Sequence, residues 1–195
     1  MLSHLRPALV SMVLFTLLLG LAYPLGVTGL AQALLPGQAN GSLIRADDGR
    51  VVGSALVGQA FSGPGYLHPR PSAAGDGYDA SASSGSNLGP MDSRLTGRIA
   101  ETAAGLRAES PAAIPGDAIT ASASGLDPHI SPANAERQAP RIAAARGLPL
   151  AQVRAAIARE TDGPLLGFIG RPTVNVLRVN LALDAEAARA QRPAR

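Results

Sequence analysis

The chain has a single acid–histidine cluster, Asp127-Pro128-His129. A carboxylate two residues from an imidazole can orient a general base or help to hold a metal. No second His or Cys accompanies it: the histidines are His4, His68 and His129, far apart, and cysteine is absent. The plainer reading is an Asx turn before proline, with His129 as a polar loop contact. The run Ser81-Ala82-Ser83-Ser84-Gly85-Ser86-Asn87 offers hydroxyls and backbone N–H groups that could cradle an anion. Gly85-Ser86-Asn87-Leu88-Gly89 is not a nucleophile elbow, because Asn87 stands where the serine would be; a structural loop is favoured. Tyr78-Asp79 is either an acid site or, more simply, a hydrogen-bonded loop anchor. Arg137, Arg141 and Arg146 recur at spacings of four and five, where they contact a partner or form a solvated face. A hydrolase would have to assemble Ser86 or Ser124, His68 or His129, and an Asp.

Composition removes other chemistries. All 17 basic residues are Arg, so there is no P-loop, Schiff-base or kinase-type lysine. Without Cys there is no disulfide framework, zinc finger, iron–sulfur ligation or thiol nucleophile. The net charge is only +3, and no basic stripe with interleaved aromatics supports nucleic-acid binding. Charge is uneven along the chain. Residues 136–195 hold ten Arg against five acids, and residues 45–135 hold six Arg against nine acids. That dipolar pattern suits docking on a larger surface.

The elements that must position these residues follow from periodicity. Ser42–Ala46 and Val51–Leu56 flank Asp47-Asp48-Gly49-Arg50, a hairpin signal. Residues 58–90, rich in Gly, Pro, Ser and Asn, are either disordered or an ordered loop system. Met91–Glu109 reads as a helix with Leu95, Ile99, Thr102 and Leu106 on one stripe, closed by Pro111. After a loop over residues 114–132, Ser131 caps a helix with Pro132 at its first position and Gly147 at its stop. Pro140 is expected to kink that helix or split it. Pro149–Glu160 is a further helix, with Leu150, Val153 and Ile157 on one face. Leu177, Val179, Leu181 and Leu183 alternate with Arg178, Asn180 and Ala182, which predicts a half-buried strand. Asp184 would then cap a short final helix. Strands and helices without regular alternation place the chain in the α+β class, and six aromatics leave its core to Leu, Ile, Val and Ala.

Before this domain lies an apolar run. Pro7 to Ile44 carries no charge, and Ala8–Leu30 is almost wholly apolar. Its length, about 35 Å as a helix, crosses a ~30 Å hydrocarbon layer. Pro24, Gly20 and Gly26 are tolerated in such a helix, and Tyr23 suits the far headgroup level. Arg6 on the near side and the distant Arg45 on the other put the N-terminus in the cytoplasm by the positive-inside rule. The expected organisation is a cytoplasmic N-terminus at 1–7, a transmembrane helix at 8–30, a connector at 31–41 and an extracytoplasmic α+β domain at 42–195. The alternative is a secretory signal cleaved after Ala31-Gln32-Ala33, which would release a binding module beginning at Leu34.

Several segments, in order, carry a resemblance. They are Tyr23-Pro24-Leu25-Gly26-Val27-Thr28-Gly29, Gly41-Ser42-Leu43-Ile44, Val52-Gly53-Ser54 with Leu56-Val57-Gly58-Gln59, and Arg70-Pro71-Ser72-Ala73-Ala74. Tyr78-Asp79-Ala80, Gly85-Ser86-Asn87-Leu88-Gly89-Pro90 and the long stretch from Thr120 to Pro132 follow. Gln138-Ala139-Pro140-Arg141 and Val174-Asn175-Val176-Leu177 complete the set. Together they closely resemble the KdpC family, the C subunits of the bacterial Kdp high-affinity potassium-transporting P-type ATPase. The resemblance runs from the apolar segment to about Asp184, with Ser84 where the family often has Gly.

The resemblance implies a non-catalytic accessory subunit, needed for assembly and stabilisation, in the bacterial cell inner membrane with its domain periplasmic or extracellular. Its implied partners are a channel-like subunit that binds potassium and a P-type ATPase subunit that hydrolyses ATP. The family is also described as a catalytic chaperone that raises the ATP affinity of the ATPase subunit. No cofactor is obligatory; the chaperone role admits ATP, and potassium is handled by the partner. Ser83-Ser84-Gly85-Ser86-Asn87 is similar to the Ser-Gly-Gly signature of ABC ATPases, the one hook for nucleotide, although the expected topology turns this loop away from the cytosol. Candidate partner or nucleotide contacts are therefore Tyr78, Asp79, Ser83, Ser84, Gly85, Ser86, Asn87, Asp127, His129, Gln138 and Arg141. Gly20, Gly26 and Gly29 would let the membrane helix pack closely. A structural role, docking near the potassium entrance, and a regulatory role, biasing the ATPase cycle, both remain open.

Overall fold

The structure, a computed structural model, describes residues 2–46 and 48–190. Asp47 of the expected hairpin turn and residues 191–195 lie outside the described residues. The chain divides into two units, 1–52 and 53–195.

In the first unit, α1 (Leu2–Leu17), a single π turn (Leu18–Ala22) and α2 (Tyr23–Leu34) run on without a break. Pro24 explains the π turn. Its ring would press on the Gly20 carbonyl in a regular helix. The Tyr23 N–H instead bonds the Leu18 carbonyl five residues back, which widens the turn just before the ring arrives. Pro24 then sits in the first turn of α2, where no N–H is needed. His4–Leu34 spans 31 residues at a mean hydropathy of 2.1, long and apolar enough to cross a membrane. The helix outruns the expected 8–30 span at both ends: Pro7 lies inside α1, and Ala31–Leu34 of the expected connector are helical. A single turn, α3 (Pro36–Ala39), follows. Next come β1 (Leu43–Arg45) and β2 (Val51–Ser54), paired as a two-stranded sheet.

The second unit is mixed helix and sheet. Helix α4 (Ser93–Glu109) begins two residues later than expected, because the Asp92 side chain caps it by accepting the Arg94 N–H. A 3-10 turn (Gly116–Ala118) and β3 (His129–Ile130) interrupt the stretch expected to be loop. Helix α5 (Pro132–Arg146) has the expected ends. The Ser131 hydroxyl accepts the Asn134 N–H at 3.2 Å, and Gly147 stops the helix at φ +64°. The expected split at Pro140 does not occur; α5 is continuous through it. Pro140 and Glu136 are both exposed, so the carbonyl left without a partner lies on the solvent side. Helix α6 (Leu150–Arg159) buries Val153, Ala156 and Ile157. Strands β4 (Thr161–Asp162) and β5 (Thr173–Asn175) join β3 in an antiparallel sheet of order β3-β5-β4. Its register pairs Ile130 and Thr161 with Val174.

The C-terminal segment corrects the sequence reading. Residues expected as a strand over Leu177–Leu183 lie in α7 (Val176–Ala190). The buried positions are Val176, Leu177, Val179, Asn180 and Leu183, a spacing of three and four. Leu181, which completes the period-two pattern, is only half-buried. Asp184 caps nothing; it sits inside α7 and pairs with Arg146 at 2.8 Å. The core joins α5, α6 and α7 to the sheet through Ile130, Ala135, Ala139, Ile142, Val153, Ile157, Val174, Val179 and Leu183. Each fully buried Val, Leu or Ile contributes about 1.5–3 kcal/mol. Small Ala residues four apart on α5 (Ala135, Ala139, Ala143) let neighbouring helices approach closely.

Three buried amides order the loop that precedes α4. Asn180 grips Leu67 on both sides, accepting its N–H at 2.7 Å and donating to its carbonyl at 3.0 Å. Gln138 does the same for His68, at 2.8 and 3.0 Å. Asn175 donates to the Ala55 carbonyl at 2.9 Å. The side chains thus replace the strand partner that this segment lacks.

Candidate functional site

The polar residues singled out from sequence fall into two places. The first is a loop cluster built on Arg70. Its guanidinium bonds Asp127 at 3.0 Å and the carbonyls of Thr120 and Ala121. The Asp127 carboxylate also accepts the His129 N–H at 3.0 Å, which is the expected Asx turn. Burial raises the Asp127 carboxyl, but bonds from His129 and Arg70 outweigh it and hold the group below its ordinary range. Tyr78, at φ +59°, donates its hydroxyl to the Arg70 carbonyl at 2.5 Å. Burial, and then the Asp127 charge, push that phenol up to about 12. Ser72 ties two loop segments of the cluster: it donates to the Gly125 carbonyl at 2.7 Å and accepts the Tyr78 N–H at 2.9 Å. Tyr78 is therefore the loop anchor of the plainer reading.

The serine run lies as a strap across residues 123–125. Ser83 donates to the Ser124 carbonyl at 2.9 Å, and Ser84 to the Gly85 carbonyl at 2.9 Å. Gly85 fits where a Cβ would stand 2.8 Å from the Ala123 carbonyl oxygen. Gly125, at φ +67°, has the Ser84 carbonyl oxygen 2.5 Å from where its Cβ would be. Ser86 and Asn87 continue the strap, with Asn87 at φ +52°. Asp79, exposed, closes a local turn by accepting the Ser81 N–H and hydroxyl at 2.8 and 2.7 Å. The His129 ring lies 3.7 Å from Asp127 and 3.4 Å from Asn175, and His68 bonds the Gly63 carbonyl at 2.9 Å; among the described residues no serine hydroxyl bonds either ring, so the hydrolase set is not assembled. Among the described residues, no group of three or more His, Asp or Glu is placed to hold a metal ion.

Beside the cluster is an open cleft of about 490 Å³, lined by Arg70, Asp117, Asp127, His129 and Arg171 among others. Asp117 is engaged, accepting from the Ser131 N–H and hydroxyl and from Asn134.

Gln138 and Arg141 belong to a second place, the inner side of α5. Gln138 is buried on His68, and Arg141 donates to the Pro64 carbonyl at 2.6 Å and to Gln138 at 2.8 Å. Arg146 bonds the Gly65 carbonyl and lies 4.7 Å from the Tyr66 ring centre. The three α5 arginines thus form no solvated face; Arg137 is buried outright. In the other unit, Gly20 lies in the π turn and Gly26 and Gly29 in α2. A methyl added at Gly26 or Gly29 would meet no atom within 4 Å.

Sequence reasoning missed the hairpin tip between β4 and β5. Leu165, Leu166, Phe168 and Ile169 are 68%, 76%, 76% and 49% exposed. The tip has its own backbone order. Leu165 and Ile169 form a bridge, and Leu166, Gly167 and Gly170 all have positive φ. The available signal was an apolar run bracketed by Gly163 and Gly170, too short for a core helix and followed at once by Arg171. An exposed apolar cluster on a polar domain is a candidate interaction surface.

Fold and surface together define a mixed α+β domain that follows one helix able to span a membrane, with an apolar tip left uncovered. Residues 5–185 match the KdpC family, described as the c chain of a K+-transporting ATPase, and the chain belongs to that family. It is 68% identical over 186 residues to a potassium-transporting ATPase KdpC subunit of Caulobacter vibrioides, covering 95% of this chain and 94% of that one. It is 67% identical over 186 residues to the same subunit of Caulobacter sp. strain K31, covering 95% of each chain. Against the subunit of Beijerinckia indica it is 61% identical over 188 residues, covering 95% of each.

Proposed function

We propose that this chain is a non-catalytic accessory subunit of an ATP-driven, high-affinity potassium-uptake complex, needed for assembly and stability. Residues 8–30 span the bacterial inner membrane once, 1–7 are cytoplasmic, and the domain from residue 42 lies outside, beyond the connector at 31–41. The domain seats on the channel-like, potassium-binding subunit, and the chain assists the P-type ATPase subunit as a catalytic chaperone that raises its ATP affinity. The observation that carries this reading is a family match that runs through both the apolar helix and the domain. Arg6 before the helix and the long uncharged run after it support the orientation. Without Lys the chain has no Asp-Lys phosphorylation motif, and one helix encloses no ion pathway.

In this reading the chaperone effect passes through protein contact rather than through nucleotide held by this chain. The Ser83 and Ser84 hydroxyls are engaged by backbone carbonyls, and the strap belongs to the domain assigned to the outer side. The test is purification of a C-terminally tagged copy from membranes that express the whole operon. Co-purification of a multi-spanning protein and a P-type ATPase is expected, with potassium-stimulated ATP hydrolysis lost when this chain is omitted. A tagged chain that emerges alone and soluble, beginning at Leu34, with ATP hydrolysis unaffected, would overturn the proposal.

A further inference from the structure

The C-terminal turn of α4 and the inner side of α5 border a recess of about 60 Å³, lined by His68, Leu106, Glu109, Asn134, Arg137 and Arg141 among others. That is room for roughly four waters or one small oxyanion. Arg137 is 7% exposed. Its guanidinium makes one hydrogen bond, to the Leu106 carbonyl, and its Nε is buried without any partner. Arg141, one turn along, bonds only neutral groups, Pro64 and Gln138. Burial, and to a smaller degree the charge of Arg137, disfavour its protonated form. Glu109 offsets part of this from the rim. Among the described residues, no carboxylate comes within 4 Å of either guanidinium.

A buried cation without a counter-ion is unfavourable, and its unused donors add to the cost. Two guanidinium groups therefore line one small space with donors to spare, and its one lining acid, Glu109, forms an ion pair with neither. We propose that this recess binds a carboxylate or a small inorganic oxyanion, held by Arg137 and Arg141. Planar guanidinium forks match the paired oxygens of such a group. The anion comes from free solute or from an acidic side chain of a partner subunit. Glu109 is the gatekeeper, since its own charge opposes entry.

The test titrates inorganic phosphate, and separately acetate, against the full chain in detergent, with chloride at matched ionic strength as control. Saturable heat of binding and a rise in melting temperature beyond the chloride control are expected. Arg141→Met should weaken binding about tenfold or more, as loss of a charged hydrogen bond does. Arg137→Met also removes a contact to α4, so Glu109→Gln is the second arm. Loss of its opposing charge should tighten binding about two- to fivefold. Repeating the titration on the assembled complex separates the sources: binding in both states means free solute, and binding only to the isolated chain means that a partner carboxylate fills the recess. No response beyond chloride in the isolated chain, or a response unchanged in the Arg141 and Glu109 variants, would overturn the proposal.

Discussion

Around Arg70, polar side chains turn inward: Arg70 meets Asp127, Ser72 meets Gly125, and Tyr78 returns to the Arg70 carbonyl. At the β4–β5 tip, four large apolar side chains turn outward instead. The two regions are ordered by different means. The cluster is held by side chains bonding backbone, whereas the tip is held by backbone alone, through the Leu165–Ile169 bridge and its positive-φ residues. Residues that looked like chemistry in the sequence therefore bond to the backbone of the domain, and residues that looked like nothing are the ones left exposed. The arrangement implies that substitutions in the cluster act on stability and substitutions at the tip act on assembly.

The sharpest break of that contrast is Asn180→Ala. It leaves the buried N–H and carbonyl of Leu67 without partners, and should cost about 2–5 kcal/mol, read as a lowered denaturation midpoint of the full chain. Gly125→Ala comes next. Its positive φ and the Ser84 carbonyl 2.5 Å from the new methyl should cost about 2 kcal/mol in the same assay. Tyr78→Phe removes one hydrogen bond, at about 1 kcal/mol, and a phenol titration expected at about 12 in the ultraviolet absorbance should be absent from the variant.

Acid sharpens the comparison further. Burial lowers the His68 imidazole below its ordinary value, so the folded state favours the neutral ring. Its contribution is complete above about 6.5 and is lost as pH falls through the folded value. Asp127, also lowered, adds a second loss at more acidic pH, where its carboxylate becomes protonated. Stability measured against pH should therefore fall in two stages, and His68→Gln should remove only the first. The smallest effect on stability belongs to Leu166→Ser with Phe168→Ser, within about 0.5 kcal/mol of the parent. In co-purification the same pair should weaken assembly about tenfold or more, as loss of interface anchors does. A tip variant that unfolds the chain, or a cluster variant that spares stability but abolishes assembly, would reverse the contrast.

What the sequence made legible depended on whether the signal was local. Ser131, Pro132 and Gly147 mark the ends of α5 by chemistry confined to a few residues, and the apolar N-terminal run declares itself by length. The C-terminal helix was hidden because Leu177, Val179, Leu181 and Leu183 alternate, while Asn180 looked like a solvent-facing residue. Asn180 is instead a buried amide whose partner, Leu67, lies 113 residues earlier, so no window of sequence contains the reason for it. The solvated-face reading of Arg141 and Arg146 failed in the same way, because the loop that they bond precedes them by 77 and 81 residues. The tip escaped notice because its short apolar run, broken by Gly167, matches neither a helical nor a strand period.

The π turn at Leu18–Ala22 also divides the apolar helix into two independently indexed halves. A helix advances about 100° per residue, so one extra residue in a turn offsets everything after it by that angle. Deleting one residue there would restore a regular α-helix and swing Gly26 and Gly29 to another side relative to the first half. The hydropathy would hardly change, and a test of membrane insertion would not register the difference. In the proposed complex, a groove that contacted both halves of this helix would register it, since the two ends could no longer both fit. Length in this segment is thus a steric phase setting as well as a measure of thickness.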